Sequence, residues 1–208
     1  RVGVLVRGPQ AREGRNEEAA ARVGQARRER AHLVRRCDDP EAVAQVYAAR
    51  AWGWRAAFAV HSWIAVKPTG APRYVVYEVI GWRVYRGLPA LTIRERAPDA
   101  QWFGSRPTLL VDRRGAGVDA IIAQIAAAAA AYPYRDSYRV WPGPNSNSFT
   151  AYVGRQVPAL RLELPPTAVG KDYLGEGRWF GPAPSGTGYQ LSCGGWFGAL
   201  VARREGIE

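Results

Sequence analysis

Apolar and polar positions change their period several times along this chain. Between residues 40 and 51, Val43, Val46, Tyr47 and then Arg50 or Ala51 recur at helical spacing, which predicts a helix from about 40 to 51. Asp39 suits its N-cap, Pro40 its first position, and Gly53 ends it. The period then falls to two. FAVHSWIAVKP places Val60, Ser62, Ile64 and Val66 on one face of a strand and His61, Trp63 and Ala65 on the other. PRYVVYEVIGW collects Tyr74, Val76, Glu78 and Ile80 on one face, and the turn residues of KPTGAPR predict a hairpin between the two. ALTIRER and TLLVDRRG read as further strands. Helical spacing returns in GVDAIIAQIAAAAAAYPY, where Ile121, Ile122 and Ile125 form a stripe among alanines; the helix runs from about 118 to 131 and stops before Pro133. Another helix is predicted from about 146 to 155, opened by the polar turn GPNSNSF.

This order of elements predicts an α+β fold, an antiparallel sheet packed against helices. The expected organisation is a single domain over residues 39–208 with a Gly/Pro-rich C-terminal lobe holding two short strand-like pieces. Residues 1–38 read as a basic tail, disordered or loosely helical from about 16 to 36, because its apolar residues are too sparse to bury a face.

Composition changes this picture in a few places. Eight tryptophans and ten tyrosines in 208 residues argue for a real core. The formal charge of +11 raises nucleic acid or an anionic membrane surface as partners. Only Lys67 and Lys171 are lysines, so the excess is arginine, and with the abundant alanine it matches a GC-rich coding bias. That argues against nucleic acid, whose footprint would be a clustered basic face. Cys37 and Cys193 sit in no metal-type spacing and do not decide a compartment. No apolar run reaches 18 residues, so no membrane span is expected, and no secretory signal pattern is present. The chain begins at Arg1 and lacks methionine, as expected of a fragment or processed form, which leaves room for an upstream signal or anchor before it. PSGTGYQ lacks the lysine and spacing of a phosphate loop, and neither zinc spacing nor a calcium loop occurs, so no metal and no cofactor are expected.

Three residues could carry chemistry. His61, mid-strand beside a tryptophan, is either a half-buried histidine satisfied by one hydrogen bond or a general base. Glu78 interrupts an apolar strand; it is either an outward charge or the group that orients His61. Ser146 opens a helix, where free amides and the helix dipole stabilise an alkoxide or an oxyanion, or where a serine or Asn147 simply caps the helix. Trp63, Tyr138, Trp141, Asn145 and Asn147 are candidate substrate-binding residues around them, with Tyr134, Trp82 and Trp102 as further walls; the same aromatics could equally be core. His32 lies in the tail and carries little. Cys193 reads as a small buried apolar residue.

The motifs YAARAWGWRAAFAVHSWIAVKP, YEVIGW, DAQWFGSRPTLL, YPYRDSYRVWPGPNSNSFTAYVGRQVP, AVGKDYLG and PSGTGYQLS resemble a bacterial family catalogued as domain of unknown function 3750, from about residue 41 to the end. That family implies no activity. More distantly, a histidine on one strand, a polar residue on the next, a helix and then N-x-N-x-F at the start of another helix is similar to circularly permuted papain-like proteins, the NlpC-type peptidases and lecithin:retinol acyltransferase relatives. There a cysteine occupies the position that is Ser146 here. The resemblance implies His61 as base, Glu78 as orienting group and Ser146 as nucleophile of a hydrolase or acyltransferase acting on an amide or ester. The substituted nucleophile equally suits a catalytically inactive binding module of the bacterial cell envelope. Peptide, peptidoglycan or lipid-type ligands are the partners implied, and an envelope location is favoured over the cytoplasm. Catalysis would require the His61 imidazole to come within roughly 2.6–3.2 Å of Ser146 Oγ, or somewhat further without substrate. The sequence does not set the oligomeric state.

Overall fold

The run predicted as the first helix is a strand. In the computed structural model, which describes residues 40–207, Val43–Arg50 forms β1. It hydrogen-bonds to neighbours on both sides in a five-stranded antiparallel sheet of order β4-β3-β2-β1-β5, with β2 Val60–Lys67, β3 Val75–Val79, β4 Leu91–Glu95 and β5 Thr108–Arg114. Seven of its eight residues are buried. A strand covered on both faces carries no polar alternation, so the spacing of Val43, Val46 and Tyr47 imitates a helix. The tail, its predicted helix, His32, Cys37 and the Asp39 cap lie outside the described residues.

Elsewhere the period-two segments are strands. β2 and β3 pair antiparallel with Ile64 opposite Tyr77 and Val66 opposite Val75. β3 ends at Val79, and residues Gly81–Arg86 form a 3-10 turn in place of further strand. Alternation gives the sheet two unlike faces. One carries Ala44, Val46, Ile64, Val66, Tyr77, Val79, Leu91 and Val111 into the main core. Against it pack α1, Val118–Ala130, through Ile122, Ile125 and Ala129, and α2, Ser146–Gln156, through Phe149 and Val153. The other face holds Trp63 and Glu78 and is covered by the segment after β4, where Trp63 Nε1 donates to Pro98 O at 2.7 Å.

The C-terminal lobe holds more strand than its Gly/Pro content suggests. A second antiparallel sheet is built from β6 Phe180–Pro182, β7 Gly188–Cys193, β8 Phe197–Ala202 and β9 Gly206–Ile207. Arg155 of α2 ties to it, donating from Nε to Pro182 O and from Nη2 to Gln190 Oε1. Cys193, expected to be buried, is exposed and free. The fold is α+β with antiparallel sheets. No helix of the described residues is long and apolar enough to cross a membrane.

Candidate functional site

The polar turn before α2 is a capping box. Asn145 is the N-cap: its side chain accepts from the amides of Asn147 (2.9 Å) and Ser148 (3.0 Å), while Ser148 Oγ accepts from the Asn145 amide (3.2 Å). The Asn145 amide nitrogen Nδ2 also donates to Val140 O (2.9 Å) and Val169 O (3.0 Å). Gly170, at φ +92°, lies against that side chain so closely that a Cβ there would collide with it. Asn147 holds the next contacts, donating to Val60 O and Val169 O, both at 2.9 Å. Both asparagines are therefore occupied in fixing where α2 begins. The cap is neither Ser146 nor Asn147, so Ser146 keeps its hydroxyl free of that task. Among the described residues no side chain donates to Ser146 Oγ or accepts from it.

His61 and Glu78 do meet. His61 Nε2 lies 3.2 Å from Glu78 Oε1. A carboxylate only accepts, so Nε2 carries the proton and Nδ1 the lone pair. Glu78 is fully buried and also takes Arg94 Nη2 at 3.3 Å and Arg96 Nη1 at 3.3 Å. The Arg96 guanidinium lies 5.2 Å over the Trp63 ring. Burial alone would raise the Glu78 carboxyl; the His61 hydrogen bond, the Arg96 charge and the Arg94 hydrogen bond outweigh it and hold it below the usual carboxylate range. Burial lowers the His61 imidazole against the opposing pull of Glu78, so the ring is neutral at pH 7. It stacks on Trp102 with centroids 3.6 Å apart and planes 9° from parallel.

Strand alternation decides how this pair relates to the serine. Ser62 points at α2, where its hydroxyl donates to Asn147 Oδ1 (2.8 Å) and lies 3.0 Å from Thr150 Oγ1. His61, one residue earlier, points to the opposite face. The structure therefore joins His61 to Glu78, and no hydrogen bond joins either to Ser146.

All the same, His61 and Ser146 border one cleft, of about 590 Å³, at the end of the sheet where β2 starts and α2 begins. Tyr138, Trp141, Asn145 and Asn147 line it, as do Trp82 and Trp102; Trp63 does not, being sealed beneath the neighbouring loop and stacked on Tyr47. Gly81 admits the Tyr138 ring against its backbone, where any side chain would collide. Five further rings of the apolar wall escaped the sequence reading: Trp52, Trp54, Phe58, Tyr85 and Phe103. The signal for them was AWGWRAAF, three aromatic rings around a glycine, which composition alone assigns to the core.

Residues 41–173 match the model of the family described as Protein of unknown function (DUF3750). The chain belongs to the DUF3750 family. No curated protein and no solved structure matches it. The DUF3750 span holds both helices, the five-stranded sheet and every residue of the cleft, and it ends at Tyr173, ahead of the small C-terminal sheet. The motif PSGTGYQLS, read above as part of the resemblance, falls beyond it. The papain-like likeness rests on residue order alone.

Proposed function

We propose that this DUF3750 domain is a non-catalytic binding module that holds an apolar, acyl-type ligand in the cleft beside α2, on a frame arranged like the permuted papain-like proteins. The observation that carries the reading is the wall. A cleft of about 590 Å³ lies within the roughly 300–1,000 Å³ usual for small-ligand pockets. Its sides are tryptophan, tyrosine, phenylalanine and valine, with few polar groups converging on it. Such a lining gains most by covering an aliphatic chain, at about 25 cal/mol for each Å² of apolar surface removed from water.

The arrangement of the polar groups supports binding over turnover. A serine nucleophile needs a base at its oxygen. Here the imidazole is committed to Glu78 and Trp102 on the far face of the sheet, and its carboxylate partner is neutralised by two arginines. Ser146, at the first position of α2, offers a hydroxyl to a ligand headgroup. Location at the bacterial cell envelope belongs to the same proposal. The competing reading, a Ser-His-Glu hydrolase or acyltransferase, draws on the shared cleft and on the unprotonated Nδ1 of His61.

The two separate with an alkyl fluorophosphonate, which marks activated serines. Wild-type protein read by intact mass is expected to gain no adduct. An adduct on wild type that disappears in Ser146→Ala would instead establish the serine as a nucleophile.

A further inference from the structure

The apolar wall does not stop at the cleft. Trp52, Trp54, Tyr85 and Phe103 are 63, 72, 88 and 56 % exposed, far more than their apolar area favours on a surface that meets only water. They are one patch. Phe103 lies 5.6 Å from Trp52 and 5.6 Å from Trp82, ring centre to ring centre, and all of them border the cleft mouth. Most of the patch comes from two 3-10 turns, Gly53–Ala57 and Gly81–Arg86. Their sequences interleave rings with arginine, as WGWR and GWRVYR, and residues 50–60 and 80–90 contain four arginines and no acidic residue. The Arg55 guanidinium lies 5.0 Å over the Trp54 ring.

We infer that these two turns dock the domain on an anionic lipid bilayer, with the cleft mouth facing the membrane. Tryptophan and tyrosine favour the headgroup level because one part of the ring is apolar and another hydrogen-bonds. Arginine beside them pairs with lipid phosphate, and a patch with no acid suffers no repulsion from it. Four of the chain's arginines thus fall in these two turn segments, set among rings. Resting on the binding reading above, this docking names the source of the ligand: an acyl chain would pass from the bilayer into the cleft without crossing water.

The test uses the full chain and vesicles of phosphatidylcholine with or without an equal part of phosphatidylglycerol, read by co-sedimentation and by quenching of tryptophan fluorescence by lipids brominated on their acyl chains. Binding is expected to the anionic vesicles, with quenching, and to weaken with salt. Each arginine removed should cost about fivefold in partitioning, so Arg83→Gln with Arg86→Gln should lose about twenty-fivefold. Neither side chain lines the cleft, so that variant should still bind a free fatty acid in solution as wild type does. Arg86→Gln alone, which touches no hydrogen bond of the turn, serves if the double variant unfolds.

Equal binding to neutral and anionic vesicles, no binding to either, or binding without quenching would overturn the docking. Preference for single-stranded nucleic acid over anionic vesicles would also overturn it. Vesicle binding with no uptake of free fatty acid would sink the binding function and leave the docking standing; the reverse result would do the opposite.

Discussion

Replacing Glu78 by alanine is expected to remove about 3–5 kcal/mol of stability, a large share of the roughly 5–15 kcal/mol that holds a domain folded. Its carboxylate is fully buried and takes hydrogen bonds from His61, Arg94 and Arg96. Arg96 is mostly buried, and its Nε and Nη2 already have no partner among the described residues, so taking away Glu78 strands a guanidinium in a dry place. Arg94 is half exposed and can turn to water, which limits its share. Glu78→Gln should fall between, because the amide oxygen still accepts from His61 but no charge answers Arg96. Urea unfolding of the three proteins gives the comparison; a loss under about 1 kcal/mol for the alanine variant would mean that the cluster is not a structural anchor.

The same cluster sets the response to acid. The folded-state pKa of His61 is lowered, so the unfolded chain takes up a proton first, and stability falls as pH drops through about 6.5, the ordinary histidine value. Glu78 is also lowered. Its contribution is complete above the ordinary carboxylate pKa of about 4.5 and is lost as pH falls through its folded value. Both slopes have one sign, so wild type should weaken as pH falls below about 6.5 and weaken again as it falls below about 4.5. The Glu78→Ala variant should lack the lower limb.

Asn145→Ala is the second large effect expected. Loss of an N-cap costs about 0.5–2 kcal/mol. Here the same side chain also feeds two carbonyls, and Val140 O loses the partner that Asn145 gives it, while Val169 O keeps Asn147. Val140 is 45 % exposed, so its carbonyl can turn to water and adds only about 1 kcal/mol; the total is about 2 kcal/mol, or about 4–8 °C in Tm for a domain of this size. Asn145→Asp keeps the cap and loses the donors, and should recover about half. A Tm unchanged in Asn145→Ala would show that α2 starts where it does for another reason.

How much of this the sequence revealed depended on whether a residue's surroundings were local. The alternation HSWIAV assigned His61 and Ser62 to opposite faces, and the hairpin brought Glu78 within reach of His61, because register follows from period and turn. The helix after GPNSNSF was legible from its polar start, and its cap was set one residue earlier than Ser146. β1 was misread because burial on both faces erases alternation and leaves an alanine-rich run that suits either element. Trp52 and Trp54 were missed for the opposite reason: a tryptophan is read as core by default, and only the fold shows that their turn projects beyond it. Arg94 and Arg96 gave no sign of meeting Glu78 before β4 was known to pair with β3.

The central claim, that the aromatic cleft binds an acyl chain without acting on it, is tested most directly by titrating the protein with a fluorescent polyene fatty acid. Wild type should bind it saturably, one molecule per chain, and Ser146→Ala should still bind it, only a few-fold more weakly for the lost headgroup hydrogen bond. Ala59→Trp, which puts a bulky ring into the cleft lining, should bind about tenfold more weakly, a difference of about 1.4 kcal/mol. Binding that Ala59→Trp leaves unchanged, or release of fatty acid from an acyl ester by wild type but not by Ser146→Ala, would contradict it.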